Sequence, residues 1–285
     1  MIASKKRACV IGWPVAQSLS PAIHGFWLRE YGIEGEYTKA EVEPGGLPAF
    51  VAAMRGEGFE GANVTIPHKI EAYDLCQRLD SAAKAIGAVN TLWFEGEALC
   101  GSNTDAEGFL TNLDEQARGW DGGHSRAAVI GAGGAALAIV WALQNRGFSR
   151  IHVVNRSHGK AMDLANKFSS VVPFYFDHMS EALIGATFIV NTSSLGMDGF
   201  PPLEINLDSV QADATVCDIV FKPLETALLR QARERGLRAV DGLGMLMYQA
   251  VPGFEKWFGI EPSVTPALRE AVLAAIASNQ PGAPQ

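Results

Sequence analysis

A glycine-rich turn between two apolar segments constrains the fold of this chain more than any other feature. The run Ala127–Ile130 has the composition of a buried strand, and the stretch from Ala135 to Leu143 has that of a helix. This strand–turn–helix order is the context that a dinucleotide-binding fingerprint requires. The residues expected to line a dinucleotide here are Gly131, Ala132, Gly133, Gly134 and Ala135.

Each small residue of this turn has a physical reason. Gly131 permits the tight turn, Gly133 lets the backbone approach a pyrophosphate, and Ala136 lets helix and strand pack closely. The helix N-terminus offers free N–H groups and a positive dipole to phosphate. We therefore predict a Rossmann-like unit; the alternative is a Gly/Ala-rich turn of an ordinary α/β protein.

The next predicted strand, Ile151–Val154, bears on the choice of nicotinamide cofactor. NAD sites place an acidic residue after this strand, where it accepts a hydrogen bond from the ribose 2′-hydroxyl. This chain instead has Asn155, Arg156 and Ser157, with Lys160 shortly afterwards. A guanidinium can hold a 2′-phosphate through paired, charge-assisted hydrogen bonds. The sequence predicts NADP(H) rather than NAD(H); the alternative is a solvated basic strand end.

Composition excludes several classes of protein. A chain of 285 residues with 48% hydrophobic residues is expected to form one large domain or two, with a sizeable core. The net charge of −8 argues against a nucleic-acid-binding surface. No apolar run reaches the length of a membrane span, and the basic N-terminus lacks the apolar stretch of a signal peptide. Four scattered cysteines predict a reducing cytoplasm and no bound metal.

Strand-like and helical segments alternate in two separate stretches of the chain, which predicts two α/β layers. In the first layer the predicted strands are Arg7–Ile11, Glu36–Val42, Ala62–Ile66 and the hairpin Val89–Phe94 with Ala98–Gly101. The predicted helices of that layer are Pro21–Tyr31, Leu47–Arg55 and Pro67–Leu79. Ser20 is expected to cap the first helix, with Pro21 in its first turn.

The second layer is predicted to follow a loop over Arg118–Ser125. Besides the two strands already named, its predicted strands are Val171–Phe176, Thr187–Asn191, Thr215–Ile219 and Arg238–Val240. Two helical segments, Met245–Phe258 and Pro266–Ser278, then complete the ordered chain. The Pro/Gly-rich tail Asn279–Gln285 is expected to be disordered.

Polar side chains cluster at the strand ends of the first layer. Ser18 and Ser20 stand beside a helix start and can receive a carboxylate; the alternative is a turn residue and an N-cap. In a strand, Asn63 and Thr65 point to the same face. Lys69 lies in the first turn of a predicted helix, where the dipole disfavours a cation, so its position indicates a function. The alternative is a lysine that extends to solvent.

Further polar residues bracket the predicted hairpin. Asn90 precedes it, and Asp105 follows it, where its carboxylate can accept a hydrogen bond from Lys69 or from a substrate hydroxyl; the alternative is a helix cap. His24 and His68 lie on mostly apolar helices and are expected to be packed residues, with His68 the reserve candidate for acid–base chemistry.

Together these segments resemble the shikimate dehydrogenase family over nearly the whole chain, from Gly12 to Gly259. The motifs that carry the resemblance are Ser18–Pro21, Asn63–Lys69, Gly87–Thr91, Asn103–Asp105, the glycine turn, Asn155–Ser157, and Asp241–Met245 with Gln249. The resemblance implies a reversible, NADPH-dependent reduction of 3-dehydroshikimate to shikimate in aromatic amino-acid biosynthesis, the chorismate pathway.

The resemblance also implies an architecture. A substrate-binding domain is expected over residues 1–106 and a Rossmann-like NADP-binding domain over 107–241. Helices in 242–285 are expected to return to the substrate domain, with the active site in the cleft between the domains. A monomer and a homodimer are both compatible with the sequence.

Site residues follow from the same resemblance. Hydride addition to a carbonyl leaves an alkoxide that needs a proton and a nearby positive charge, and Lys69, paired with Asp105, is expected to supply both. The expected substrate-binding residues are Ser18, Ser20, Asn63, Thr65, Asn90, Phe221 and Gln249. Further expected cofactor contacts are Thr192, Ile219, Gly242 and Met245.

Phe221 departs from the pattern, because the family usually has a tyrosine there. A phenol can hydrogen-bond a substrate or a water molecule, whereas phenylalanine only packs, so substrate preference stays open at this position. One alternative is a relative that oxidises quinate or another cyclohexane polyol; such relatives often favour NAD, so Arg156 counts against it. Another is a non-catalytic NADPH-binding sensor, against which the presence of both Lys69 and Asp105 argues.

Overall fold

The chain divides into two compact units in a computed structural model that describes residues 5–122 and 126–278. The N-terminal unit comprises Met1–Thr104 and Met247–Gln285, and the central unit comprises Asp105–Leu246. The tail expected to be disordered and the last three residues of the loop over Arg118–Ser125 lie outside the described residues. Within the described ranges, the helices all fall short of the length and apolar character needed to cross a membrane.

Strands and helices alternate in both units. The strands are β1 (Lys6–Gly12), β2 (Gly35–Glu41), β3 (Phe59–Val64), β4 (Arg78–Leu79), β5 (Thr91–Glu95), β6 (Ala98–Ser102), β7 (Ala127–Ile130), β8 (Ile151–Asn155), β9 (Val171–Tyr175), β10 (Phe188–Asn191), β11 (Thr215–Asp218) and β12 (Arg238–Val240). The α-helices are α1 (Ser20–Glu30), α2 (Leu47–Met54), α3 (Lys69–Leu75), α4 (Ser81–Ile86), α5 (Asp105–Gln116), α6 (Gly134–Asn145), α7 (His158–Lys167), α8 (Met179–Leu183), α9 (Ala227–Glu234), α10 (Leu243–Tyr248), α11 (Val251–Phe258) and α12 (Pro266–Ser278).

The N-terminal unit is built on a mixed six-stranded sheet in the order β2-β1-β3-β5-β6-β4. β1 pairs in parallel with β2 and β3, whereas β5 and β6 form the antiparallel hairpin that the sequence predicted. The apolar faces of this sheet and of α2 share a core around Ile11, Leu47, Met54 and Leu92, all fully buried. The predicted open α/β layer is confirmed.

The central unit has a parallel sheet in the order β12-β11-β10-β7-β8-β9. When β7 to β12 are numbered one to six, this is the strand order of doubly wound dinucleotide-binding folds. The order reverses between β7 and β10. The strands β7, β10 and β11 are buried along their whole length, as parallel strands covered by helices on both faces must be. The predicted Rossmann-like unit is confirmed.

The C-terminal helices return to the first sheet, as predicted. α11 packs against β1, β3 and β5, and the indole Nε1 of Trp257 donates a hydrogen bond to the Leu92 carbonyl over 2.9 Å. A Cβ at Gly61 would stand 2.2 Å from that same Nε1, so the helix approaches this closely only because β3 has a glycine there. Trp27 of α1 donates to the Ser263 carbonyl at 2.9 Å and secures the connection to α12.

Two predicted helix boundaries in the N-terminal unit are wrong. The first helix is capped by Leu19, whose backbone is already helical (φ −92°, ψ −5°), so Ser20 lies inside the helix and is not its N-cap. The helix predicted over Pro67–Leu79 ends at Leu75, because Cys76 adopts an extended backbone and the next residues join the sheet beside β6.

The long helix predicted over Met245–Phe258 is also wrong, because it is interrupted. α10 ends at Tyr248, and α11 begins at Val251 with a proline in its first turn. Proline lacks an N–H donor and clashes with the preceding turn, so it starts a helix and cannot continue one.

Candidate active site

Gly131 is the position in the glycine turn where no other residue fits. It follows β7 with φ of +111°, a conformation that disfavours any side chain. An added Cβ would also stand 2.6 Å from Oγ1 of Thr192, the residue that follows β10. Thr192 is held in turn by its hydroxyl, which donates to the Ile130 carbonyl over 2.9 Å. The predicted contacts Gly131 and Thr192 therefore meet at the point where the strand order reverses.

The following residues form a cradle that suits a pyrophosphate. Gly133 caps α6 and Gly134 opens it; both are exposed, and an added Cβ at either would enter open space. Ala132 and Ala135, on either side, are half-buried. Backbone N–H groups at the start of this 12-residue helix are thus accessible to an anion, and the residues present fit a dinucleotide phosphate.

The basic residues after β8 are exposed on the same unit. Asn155 bends the chain there, because its Nδ2 donates to the Ser157 carbonyl over 2.9 Å. Arg156, Ser157 and Lys160 are exposed, with Ser157 the N-cap residue of α7. Arg156 lines a cavity of about 400 Å³, together with Phe176, Leu195, Pro201, Pro202, Leu203 and Glu204. Arg156 and Glu204 are the two charged residues of this lining, and the Arg156 guanidinium is the group there that could pair with the phosphate of a phosphorylated ribose.

Residues after β11 and β12 meet through a very close backbone approach. A Cβ at Gly242 would stand 2.2 Å from the Ile219 carbonyl oxygen, so only glycine allows this contact. Met245 lies in α10, and Phe221 is half-buried just beyond β11. Phe221 therefore presents a ring but no hydroxyl at this strand end.

Asp218, which the sequence analysis did not single out, organises these strand ends. Its Oδ1 accepts hydrogen bonds from Asn191 Nδ2 (2.9 Å) and Val220 N (3.0 Å), and its Oδ2 accepts one from the Thr226 hydroxyl (2.8 Å). Burial raises the pKa of this carboxyl to about 6, against the effect of these donors. The sequence does contain a signal for this pair: the apolar strands β10 and β11 each end in a polar residue, Asn191 and Asp218.

In the N-terminal unit, Thr65 is fixed where β1 and β3 end together. Its N–H donates to the Ile11 carbonyl over 2.9 Å, and a Cβ on Gly12 would stand 2.5 Å from its methyl group. Thr65 is half-buried at the carboxyl ends of these two strands.

Lys69 opens α3, in the first helical turn as predicted, and is half-buried. Its carbonyl accepts a hydrogen bond from Val89 N at 2.8 Å, which ties the helix start to the segment before β5. The neighbouring His68 is packed, as expected: it is 1% exposed, and its Nε2 lies 2.7 Å from the Val42 carbonyl. This leaves Lys69 as the cation placed at the helix start.

The two predicted serines lie side by side at the start of α1. The Ser18 hydroxyl donates to the Ser20 hydroxyl over 3.3 Å, and the Ser20 N–H donates to Ser18 Oγ over the same distance. Ser18 is half-buried and Ser20 buried. Two adjacent hydroxyls in this position are able to hold a carboxylate.

Asn90 joins residues that are far apart in sequence. Its Nδ2 donates to Gln249 Oε1 over 3.4 Å, and its Oδ1 accepts from Thr104 N at 2.9 Å. Asn63 Nδ2 donates to the Asn90 carbonyl over 3.3 Å. Asp105, next to Thr104, opens α5 and is half-buried. The predicted residues Asn63, Asn90 and Gln249 are thus brought together.

The cysteines offer neither a metal centre nor a reactive thiol. All four are free, and burial raises the pKa of Cys9 and of Cys76 to about 12, which keeps these two protonated. Among residues 5–122 and 126–278, no three His, Cys, Asp or Glu side chains are placed so that they could share a metal ion.

Three family models match successive segments of this chain. The family model for the substrate-binding domain of shikimate dehydrogenase matches residues 10–92, that for shikimate/quinate 5-dehydrogenase matches 115–195, and that for the shikimate 5′-dehydrogenase C-terminal domain matches 242–273. A protein from Rhodopseudomonas palustris (strain BisB18), named shikimate dehydrogenase (NADP(+)), is 51% identical over 273 residues, which cover 95% of this chain and 98% of the relative.

Solved structures give the same result. The shikimate 5-dehydrogenase of Thermus thermophilus, in complex with NADP(H) and shikimate, is 35% identical with a TM-score of 0.80 and covers 94% of this chain and 99% of its own. The quinate dehydrogenase of Corynebacterium glutamicum, in complex with NAD, is 28% identical with a TM-score of 0.86, and the match covers 95% of this chain and 99% of the quinate dehydrogenase. This chain therefore belongs to the shikimate dehydrogenase family.

Proposed function

We propose that this chain catalyses the reversible, NADPH-dependent reduction of 3-dehydroshikimate to shikimate, a step of aromatic amino-acid biosynthesis. The observation that carries the proposal is the 51% identity, over 95% of the chain, to a relative named as an NADP-dependent shikimate dehydrogenase. The exposed Arg156, standing where NAD sites have an acid, supports the same cofactor independently.

The central unit would hold the cofactor. The turn from Gly131 to Ala135 would bind the pyrophosphate, and Asn155, Arg156, Ser157 and Lys160 would bind the phosphorylated ribose. Thr192, Ile219, Gly242 and Met245 would contact the remainder. When bound, NADPH supplies the hydride.

Lys69 and Asp105 would form the acid–base pair. Reduction of a ketone leaves an alkoxide oxygen, which takes up a proton. The Lys69 ammonium donates that proton from Nζ, and its charge stabilises the developing oxyanion. The Asp105 carboxylate orients the ammonium and the substrate hydroxyl. In the oxidative direction, Lys69 accepts the proton back.

The N-terminal unit would bind the substrate. Ser18 and Ser20 would hold the carboxylate, and Thr65, Asn90 and Gln249 would hydrogen-bond the ring hydroxyls. The four free cysteines support a reducing compartment, so the enzyme would work in the cytoplasm, as a monomer or homodimer.

A second candidate is oxidation of quinate. Two observations favour it: the TM-score of 0.86 to a quinate dehydrogenase, and a phenylalanine at position 221. That neighbour is described in complex with NAD, whereas this chain has Arg156 after β8. The arginine therefore favours shikimate with NADP.

The proposed function is tested by initial-rate kinetics with shikimate and quinate, each against NADP⁺ and NAD⁺. The highest kcat/KM is expected for shikimate with NADP⁺. A protein that binds NADPH but turns over neither substrate is a sensor, and a preference for quinate supports the second candidate.

Lys69→Ala tests the acid–base role. Its kcat is expected to fall on the order of 10²–10⁴-fold, with a much smaller change in KM. Lys84→Ala, at an exposed position in α4, is the matched control and should retain wild-type kcat. A small effect on kcat in Lys69→Ala would mean that the proton comes from elsewhere.

A further inference from the structure

Asn63 uses every hydrogen-bonding position of its amide within the protein. Its Oδ1 accepts from the Tyr37 hydroxyl at 2.6 Å and lies 3.3 Å from His24 Nε2. Its Nδ2 donates to the Asn90 carbonyl at 3.3 Å and to Thr91 Oγ1 at 3.2 Å. A primary amide has two donor hydrogens and two acceptor positions, so all four are occupied.

The partners determine which way each group points. The Asn90 carbonyl can only accept, so Asn63 Nδ2 faces it and Asn63 Oδ1 faces the other side. Tyr37 and His24 must both donate to that oxygen, which assigns the His24 proton to Nε2. The two rings stack with centroids 4.0 Å apart at an interplanar angle of 14°. Burial lowers the pKa of His24 to about 3, so the ring stays neutral.

This network joins the two groups of residues assigned to the substrate. At one end, Ser20 lies one helical turn before His24 on α1, and Ser18 donates to Ser20. Burial raises the pKa of Tyr37, and the Ser20 hydroxyl lowers it. At the other end, Asn90 Nδ2 donates to Gln249 Oε1. The buried connection between these ends passes through Tyr37 and Asn63, and His24 braces both.

We propose that Tyr37, His24 and Asn63 are positioning residues that hold Ser20 and Asn90 in register for the substrate, without touching it themselves. This inference rests on the proposed function. Asn63, which is among the substrate contacts expected from the sequence, is therefore assigned a supporting role. Within the described structure, all the hydrogen-bonding positions of its amide are taken by protein groups, which leaves none for a ligand.

Tyr37→Phe is the direct test, because it removes one hydroxyl and keeps the ring. The KM for shikimate is expected to rise about tenfold, the effect of one net hydrogen bond. The kcat and the KM for NADP⁺ should stay within about twofold, since substrate positioning acts on ground and transition states alike. Tyr31→Phe is the matched control: its hydroxyl accepts from Ser263 N at 2.9 Å in the same unit, outside the network.

His24→Phe separates positioning from stability. Within residues 5–122 and 126–278, His24 Nδ1 has no hydrogen-bond partner although it is buried. Replacing the imidazole removes that desolvated nitrogen together with one donor to Asn63, so the stability cost is small. We expect a melting temperature no lower than that of Tyr31→Phe, yet a raised KM for shikimate. A purely structural role would lower the melting temperature and leave the KM unchanged.

The outcomes are distinguishable. If the wild type turns over shikimate and Tyr37→Phe keeps its KM, or raises it no more than Tyr31→Phe does, the positioning role is overturned. If the wild type prefers quinate, the proposed function fails, and the same comparison of KM values is made on quinate. In an Asn90→Ala background, Tyr37→Phe should add little to the KM, because the coupling runs through Asn90; an undiminished effect there also overturns the proposal.

Discussion

Replacing Asp218 by asparagine probes how the central unit holds a buried carboxyl group. Asp218 is fully buried, and three donors, on Asn191, Val220 and Thr226, reach its two oxygens. Asparagine keeps the first two bonds, because its Oδ1 accepts from Asn191 and Val220, but it reverses the third, in which its Nδ2 donates to the Thr226 hydroxyl oxygen. The neutral acid would bond in the same way, so the substitution imitates the protonated side chain at every pH.

The raised pKa of Asp218 makes the stability of the wild type depend on pH. Its pKa is about 6 in the folded chain and 3.8 ordinarily. Between these values the folded chain retains a proton that the unfolded chain has lost, so the free energy of unfolding falls as the pH rises through this interval. A shift of about two units, at about 1.36 kcal/mol per unit, corresponds to about 3 kcal/mol. The amide introduced by Asp218→Asn does not titrate, so residue 218 of the variant causes no such fall in the free energy of unfolding.

Urea unfolding from pH 4 to pH 7.5 measures the effect. The difference in unfolding free energy between Asp218→Asn and wild type should grow in favour of the variant by up to about 3 kcal/mol across this range. Asp213→Asn, at an exposed position just before β11, is the control and should follow the wild type. If the curves of Asp218→Asn and wild type stay parallel, burial does not govern this carboxyl and the reasoning fails.

Three further predictions concern the cofactor and substrate. Arg156→Asp should weaken NADPH binding much more than NADH binding in fluorescence titrations, and equal losses would remove the argument for a 2′-phosphate contact. Gly131→Ala should lower the unfolding free energy by about 1–3 kcal/mol, from a positive φ and a contact of 2.6 Å with Thr192, whereas Gly133→Ala should not. Phe221→Tyr should change the ratio of kcat/KM for shikimate to that for quinate; an unchanged ratio means that the missing hydroxyl is irrelevant.

Much of the central unit was predictable because its strands are apolar runs that end at turn residues. Ala127–Ile130 was predicted as observed, and Ile151–Val154 falls one residue short of β8. A strand buried on both faces has to be apolar throughout, so its composition alone separates it from the polar loops on either side. The glycine turn then identified which strand begins the unit.

The structure of the segment after α3 was harder to predict from the sequence, because it depends on a partner strand that is distant in sequence. Gln77 N donates to the Leu99 carbonyl over 2.9 Å, and Arg78 pairs with Cys100 in β6. Local propensity favoured a continuous helix through Leu79, and the free edge of β6 overrode it. The identity of that edge is not contained in the segment itself.

The candidate site shows the same limit in its polar residues. Alternation along β3 indicated correctly that Asn63 and its neighbours stand at a polar strand end, but alternation gives only the direction of a side chain. What meets that side chain is decided by β2 and α1, which bring Tyr37 and His24 to the Asn63 amide from 26 and 39 residues away in sequence. Two polar residues in one motif can therefore take different roles: Asn63 makes all its hydrogen bonds to the protein, whereas Thr65, half-buried just beyond the end of β3, stays a proposed substrate contact.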